Sequence, residues 1–134
     1  MSDELGTIVV GYLPTAEGLA ALTQAKKWAL SSSARLVVVN TGRNGDYSHP
    51  NFATAQDLDA IAEELDRAGL AHEVVQPTDG RPAADAILTV LESESADLLV
   101  IGVRRRSPAG KLITGSTAQQ LLLEASCPVL AVKA

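Results

Sequence analysis

Along the chain, short runs of consecutive apolar, often β-branched residues alternate with longer stretches whose apolar positions recur at helical spacing. The runs are Thr7 to Tyr12, Leu36 to Asn40, His72 to Gln76, Asp97 to Ile101 and Val129 to Lys133. Within them, IVV, LVVV and LLVI are apolar at successive positions. Strands look like this when helices bury both faces, whereas a strand with one wet face alternates. HEVVQ is shorter and more polar and reads as an edge strand. Between the runs, helices are expected from Thr15 to Ser32 and from Thr54 to Ala68. The second is closed by Gly69, a residue suited to the left-handed turn that ends a helix. A third helix carries Ala84, Ile87, Leu88 and Leu91 on one stripe, and a fourth carries Ala118, Leu121, Leu122 and Ala125. Asp79 stands where it would cap the third helix, with Pro82 in the first turn. Trp28 falls in the first helix near Leu22, Ala25 and Ala29, so partial burial against the sheet is expected.

Strand and helix in alternation predict a parallel sheet covered by helices on both faces. With right-handed crossovers this is one doubly wound α/β domain over residues 1–134. Ligands of such sheets bind beyond the carboxyl ends of the strands, where the strand order switches. The candidate site is therefore the set of loops after strands one, two and four. It takes in Gly11, Tyr12 and Leu13, then Asn40 and Thr41, then the stretch that starts at Gly102. The segment TGRNGDYSHPN from Thr41 to Asn51 is rich in turn formers and reads as irregular.

Composition narrows the classes. The 134 residues suit one domain with its own core. With 46% hydrophobic and 20% charged residues, the chain resembles an ordinary globular protein rather than a disordered or membrane one. No stretch reaches the roughly 20 apolar residues that span a bilayer, and MSDELG is no signal peptide, so a cytoplasmic protein is expected. A net charge of -5 speaks against a general nucleic-acid or anionic-membrane binder. The single cysteine, Cys127, has no partner for an internal disulfide and reads as a buried filler. His49 and His72 lack metal-ligand spacing, and no metal site is expected. His72 reads as a residue of the sheet edge.

Against this acidic background one stretch is positive. GVRRRSPAGKLITGST, from Gly102 to Thr117, carries Arg104, Arg105, Arg106 and Lys111, and no Asp or Glu occurs from Leu98 to Leu123. It joins a buried strand to the start of a helix. Free N–H groups, the helix dipole and the hydroxyls of Ser116 and Thr117 could converge there on an anion, with phosphate the natural candidate. The same residues also fit a plain helix start, with Ser116 or Thr117 as N-cap and Gly115 as the turn. Known phosphate loops do not match. A P-loop ending at Gly110-Lys111 would need glycine at Arg105 and Ser or Thr at Leu112, and GYLPTAEG after strand one is not a dinucleotide fingerprint. Ser116 has no nucleophile elbow around it, so no catalytic residue is assigned.

IGVRRRSPAGKLITGSTAQQLLLEASCPVLAVK, together with IVVGYLPTAEGLAAL near the start, resembles the universal stress protein family over essentially the whole chain. In that family a glycine after strand four, a second glycine close behind and a later Gly-Ser pair wrap an ATP triphosphate. Gly102, Gly115 and Ser116 match. The resemblance implies a Rossmann-like, adenine-nucleotide-hydrolase-like sheet of five strands in the order 3-2-1-4-5, and a homodimer through the last strand, Val129 to Lys133. It also implies that the backbone at Asn40 and Thr41 borders an adenine, and that Arg104 and Arg105 lie beside the phosphates. Two departures stand out. Arg105 replaces the second glycine, and Leu13 replaces the Asp that contacts the nucleotide or its metal. Arg105 can bind phosphate or fill its place, and Leu13 removes a carboxylate. Two readings follow. One is a stress-response module that binds ATP or another adenine nucleotide, with magnesium only alongside ATP and at most weak ATPase activity. The other is a nucleotide-independent dimeric signalling module.

Overall fold

The computed structural model describes residues 6–42, 48, 50–104 and 115–134. The elements follow one another as β1 (Thr7–Gly11), α1 (Ala16–Ser32), β2 (Arg35–Val39), α2 (Ala55–Arg67), β3 (His72–Val75), α3 (Ala83–Ser93), β4 (Leu98–Val103), α4 (Ser116–Glu124) and β5 (Val129–Lys133). The strands form one parallel sheet in the order β3-β2-β1-β4-β5. β3 is thus an edge, as its polar sequence implied.

The consecutive apolar positions of the strands divide between two cores. Ile8, Val10, Leu36, Val38, Leu98 and Val100 face α1 and α2. Val9, Val37, Val39, Leu99, Ile101 and Val103 face α3 and α4. Each central strand is wrapped on both sides, and burial of this kind, at about 25 cal/mol per Å² of apolar surface, is the main stabilising term.

α1 begins at Thr15, whose Oγ1 accepts from the Gly18 N–H at 3.1 Å. It ends at Ser33, which takes the left-handed conformation (φ 56°) and donates its N–H to Ala29. The buried stripe of α1 is small-sided: Gly18, Ala21, Leu22, Ala25 and Ala29. Small side chains let its axis come close to the sheet. A Cβ on Gly18 would lie 1.9 Å from the Leu13 carbonyl oxygen, and a Cβ on Gly102 would lie 2.2 Å from the Glu17 carbonyl oxygen. Trp28 stays 38% exposed and outside both cores, less covered than its neighbours suggested. α2 opens on a capping box, Thr54 with Asp57, and is followed by Gly69 at φ 73°.

Three expectations are corrected. Asp79 does not cap α3. Pro82 holds the N-cap position without a side-chain bond, and Asp79 instead accepts from the Arg81 side chain at 2.6 Å. Strand β4 runs past Ile101 through Gly102 to Val103, because β5 continues to pair with it there. On α4 only Leu121 is buried. Leu122 is 47% and Leu123 85% exposed, so the expected four-residue stripe shrinks to Leu121 with Ala118 and Ala125 at its margins.

Candidate functional site

Parallel strands joined by helices place every helix N-terminus and every strand C-terminus at one edge of the sheet. That edge gathers the ends of β1, β2, β3 and β4 and the start of α4. Gly11 is in register with Val39 on one side and Ile101 on the other, so the β1, β2 and β4 loops predicted as candidates are neighbours.

The center of this edge is Asn40, which is fully buried. Its Nδ2 donates to the carbonyls of Tyr12 and Asn51, both at 2.9 Å. Its Oδ1 accepts from the Ala53 N–H and from Gln76 Nε2, both at 2.9 Å. Gln76 Nε2 also donates to the Ala53 carbonyl at 2.9 Å, and the Asn40 N–H donates to the Val75 carbonyl at 3.0 Å. Both donors and both lone-pair sites of the amide are occupied. The Asn40 side chain is therefore spent within the protein and ties the ends of β1, β2 and β3 to the entry of α2.

Next to this saturated group is an unsaturated one. Thr41 is 7% exposed, and no hydrogen bond joins it to the described residues. The ladder explains why. The Tyr12 N–H donates to Val39 at 2.8 Å, and in a parallel pair the next rung would run from the Thr41 N–H to the Tyr12 carbonyl. The Asn40 amide takes that carbonyl instead. Buried backbone groups are nearly always paired, so an unpaired buried N–H at a strand end is a place for a water or a ligand.

Tyr12 is buried beside these groups, and burial, then the charge of Asp57, push its phenol above the usual value. Leu13 is half-buried, and its carbonyl accepts from the Thr15 N–H at 2.8 Å. Gly11 is partly exposed, with room for a Cβ at ordinary contact from Ile87 and Ile101.

On the other flank, Gly102 lies inside β4, opposite Val132. The close approach that excludes a side chain there comes from the backbone of α1, so packing alone accounts for this glycine. Arg104 points mostly to solvent and lies 3.7 Å from the Glu17 carboxylate, a loose ion pair. Gly115 is the N-cap of α4, with extended backbone (φ -64°, ψ 159°) and no side-chain cap bond. Neither Ser116 nor Thr117 caps the helix, and both lie in its first turn with Ser116 exposed. The first backbone bond of α4 runs from the Gln119 N–H to Gly115 at 3.1 Å. Arg105, Arg106, Lys111, Leu112 and His49 lie outside the described residues. His72, by contrast, is a residue of the β3 edge, its Nδ1 2.9 Å from the Leu70 carbonyl. Cys127 packs against the second core, where burial and then Asp97 raise its thiol pKa. Among the described residues, no group of three His, Cys, Asp or Glu side chains is placed to hold a metal ion, and no helix is long and apolar enough to cross a membrane.

Two contributors escaped the sequence reading. Gln76 stood at the end of a polar edge strand, and its only signal was an amide following VV. Gly18 was hidden in a helix, where glycine is otherwise unfavourable and therefore informative.

Comparison with known proteins fits this architecture. The universal stress protein family matches residues 4–133. A universal stress protein of Mycolicibacterium smegmatis is 40% identical over 126 residues, covering 94% of this chain and 96% of that one. The structure of a universal stress protein from Archaeoglobus fulgidus superposes with a TM-score of 0.78 at 25% identity, covering 96% of this chain and 98% of the other. Other solved members share the fold at lower identity. One in complex with cAMP has a TM-score of 0.67 at 23% identity and covers 98% of each chain. One from Archaeoglobus fulgidus with dAMP has a TM-score of 0.66 at 17%, covering 98% of this chain and 100% of that one. One from Arabidopsis thaliana with AMP has a TM-score of 0.65 at 15%, covering 96% and 90%. With the sheet order, the strand-end site and the match across nearly all of its length, the chain belongs to the universal stress protein family.

Proposed function

We propose that this protein is a cytoplasmic stress-response module that binds an adenine nucleotide across the ends of β1, β2 and β4 and acts by binding rather than by catalysis. The observation that carries the reading is Thr41, whose buried main chain is unpaired among the described residues beside the saturated Asn40 amide. The edge of an adenine offers a ring-nitrogen acceptor next to an amino donor, which suits the N–H and C=O of one peptide residue. The three ligands named for structures of this fold, cAMP, dAMP and AMP, share that base and one phosphate; dAMP lacks the 2′-hydroxyl, and cAMP closes its phosphate onto the 3′-oxygen. In this reading Gly11, Tyr12 and Leu13 line the base and sugar side. The phosphate end is met by the first turn of α4 at Gly115, Ser116 and Thr117, with Arg104 and Arg105 supplying charge.

ATP fits the same scheme through its adenine. Magnesium would come only with the triphosphate, since Leu13 offers no carboxylate for metal-bound water at the end of β1. Calorimetric titration with AMP and ATP, with and without magnesium and at two salt concentrations, tests the reading. Micromolar binding that weakens with salt more for ATP than for AMP is expected. No binding at millimolar nucleotide overturns it.

A different observation favours a homodimer through β5. Among the described residues this edge strand pairs on one side only, with β4; Ala131 on it is exposed, and the preceding helix exposes Leu122 and Leu123. Ala131→Lys, an edge charge that leaves the core untouched, should convert a dimer to a monomer in light scattering. If nucleotide binding fails and the dimer holds, the chain is a nucleotide-independent dimeric module.

A further inference from the structure

We infer that Asn40 and Gln76 are positioning residues for the base. They never touch the nucleotide, but they hold open the Thr41 main chain that reads it. This rests on the nucleotide reading above and adds a mechanism to it. The Asn40 amide donates to the Tyr12 carbonyl at the point where the β1–β2 ladder would continue with the Thr41 N–H, and the ladder stops there. Its orientation is not free. The Ala53 N–H can only donate, and the Tyr12 and Asn51 carbonyls can only accept, so the oxygen must face Ala53 and the nitrogen must face the two carbonyls. Gln76 locks this orientation. Its Nε2 spends one proton on Asn40 Oδ1 and the other on the Ala53 carbonyl. The edge strand β3 thereby reaches the site without lining it. If the lock is lost, the Asn40 amide keeps three of its four bonds but is held less firmly, and the Thr41 N–H can turn toward the Tyr12 carbonyl, which removes from the site the donor that the base would use.

Gln76 acts here only as a donor, and it is partly exposed, which gives a clean pair of variants. Gln76→Glu keeps the shape and removes both donors. Gln76→Lys keeps donors for both acceptors. Binding of adenosine, AMP and ATP is measured by calorimetry for the wild type and both variants, at a temperature where melting curves show each to be folded. Gln76→Glu should weaken all three ligands by the same factor, about tenfold, the worth of a good hydrogen bond, because the defect lies at the base. Gln76→Lys should stay within about threefold of the wild type on the same scale. A side chain that merely filled space would show no such split between Glu and Lys. If the wild type binds and Gln76→Glu binds equally well, the positioning role is wrong and the nucleotide reading stands. If the loss grows from adenosine to ATP, Gln76 acts through phosphate charge and the positioning role is again wrong. If the wild type binds none of the three, the nucleotide reading falls and takes this inference with it.

Discussion

The ends of β1, β2 and β3 are joined by a buried amide with every hydrogen-bonding position used, whereas the start of α4 has no side-chain cap and rests on one buried leucine, Leu121. Beyond Leu121, α4 is tied to α3 by Gln120 Nε2 donating to Asp85 at 3.0 Å. A buried and fully satisfied network is stiff, because each bond fixes the geometry of the next. A short helix with little buried surface sits at the low end of local stability. In the proposed site, then, the base end is built before a ligand arrives and the phosphate end is free to adjust. Selectivity is expected from the first and charge-dependent affinity from the second.

The largest effect should come from the seam between the two regions, where α1 presses on β4. Gly102→Ala places a methyl group 2.2 Å from a backbone oxygen, and neither backbone yields without moving the helix. Overpacking of this severity costs more than about 3 kcal/mol. Urea unfolding should show it, with a melting temperature lower by roughly 10 °C. Gly18→Ala should behave alike. Gly115→Ala, where a Cβ meets nothing within 4 Å, should not. Comparable losses at Gly102 and Gly115 would erase the distinction between a packed glycine and an open one.

Asn40→Leu comes next. It removes the Asn40 amide from the Tyr12 and Asn51 carbonyls and the Ala53 N–H, and Gln76 keeps only its bond to the Ala53 carbonyl. Buried groups orphaned in this way cost about 1–3 kcal/mol each, and water or the Thr41 N–H recovers part, so a loss of about 3 kcal/mol is expected. Amide hydrogen exchange adds a sharper sign. The Thr41 amide should become better protected in the variant as it closes on Tyr12. Ser116→Ala at the other end should stay within about 0.5 kcal/mol of the parent.

The base end should also respond to alkali. Burial, followed by Asp57, raises the Tyr12 phenol above its ordinary value of 10.0. Below that pH both folded and unfolded chains keep the proton, and the contribution is fully present. Above it the unfolded chain ionises first, so stability falls as pH rises through the folded value. The slope from one group is at most about 1.4 kcal/mol per pH unit. Tyr12→Phe should flatten the fall that begins near pH 10. Cys127, raised by burial and then by Asp97, adds a separate fall from about 9.0 that the variant leaves in place. An unchanged alkaline profile in Tyr12→Phe would place the phenol in water.

The fold was legible because its signals are repetitive. Apolar runs such as LVVV can be buried on both faces in only one way, and the crossovers follow from chirality. The ends of elements were less legible. Nothing in DGRP says that Pro82 would take the cap and Asp79 would turn to Arg81, since both choices satisfy the local chain. At the site, the sequence pointed to the backbone of Asn40 and Thr41, and the bracing role of the Asn40 side chain was not legible. Gln76 was not found, because partners far apart in sequence leave no spacing to read. Gly102 looked like a phosphate glycine, and its nearest neighbour proved to be the backbone of α1.

The smallest effect concerns the open end itself. Gly115 has extended backbone at the N-cap of α4 and space around it, so serine fits there without strain and can accept from the first turn. Gly115→Ser should stabilise by about 0.3 kcal/mol, read as a slightly higher urea midpoint. Its local effect should exceed its global one, because α4 opens more readily than the sheet and a cap acts on the helix first. Exchange of the Leu121 and Leu122 amides should slow in the variant, while that of Val37 and Val38 in β2 stays as it was. Equal slowing in both places would mean that α4 and the sheet open together, and the contrast between a stiff end and an adjustable one would not hold.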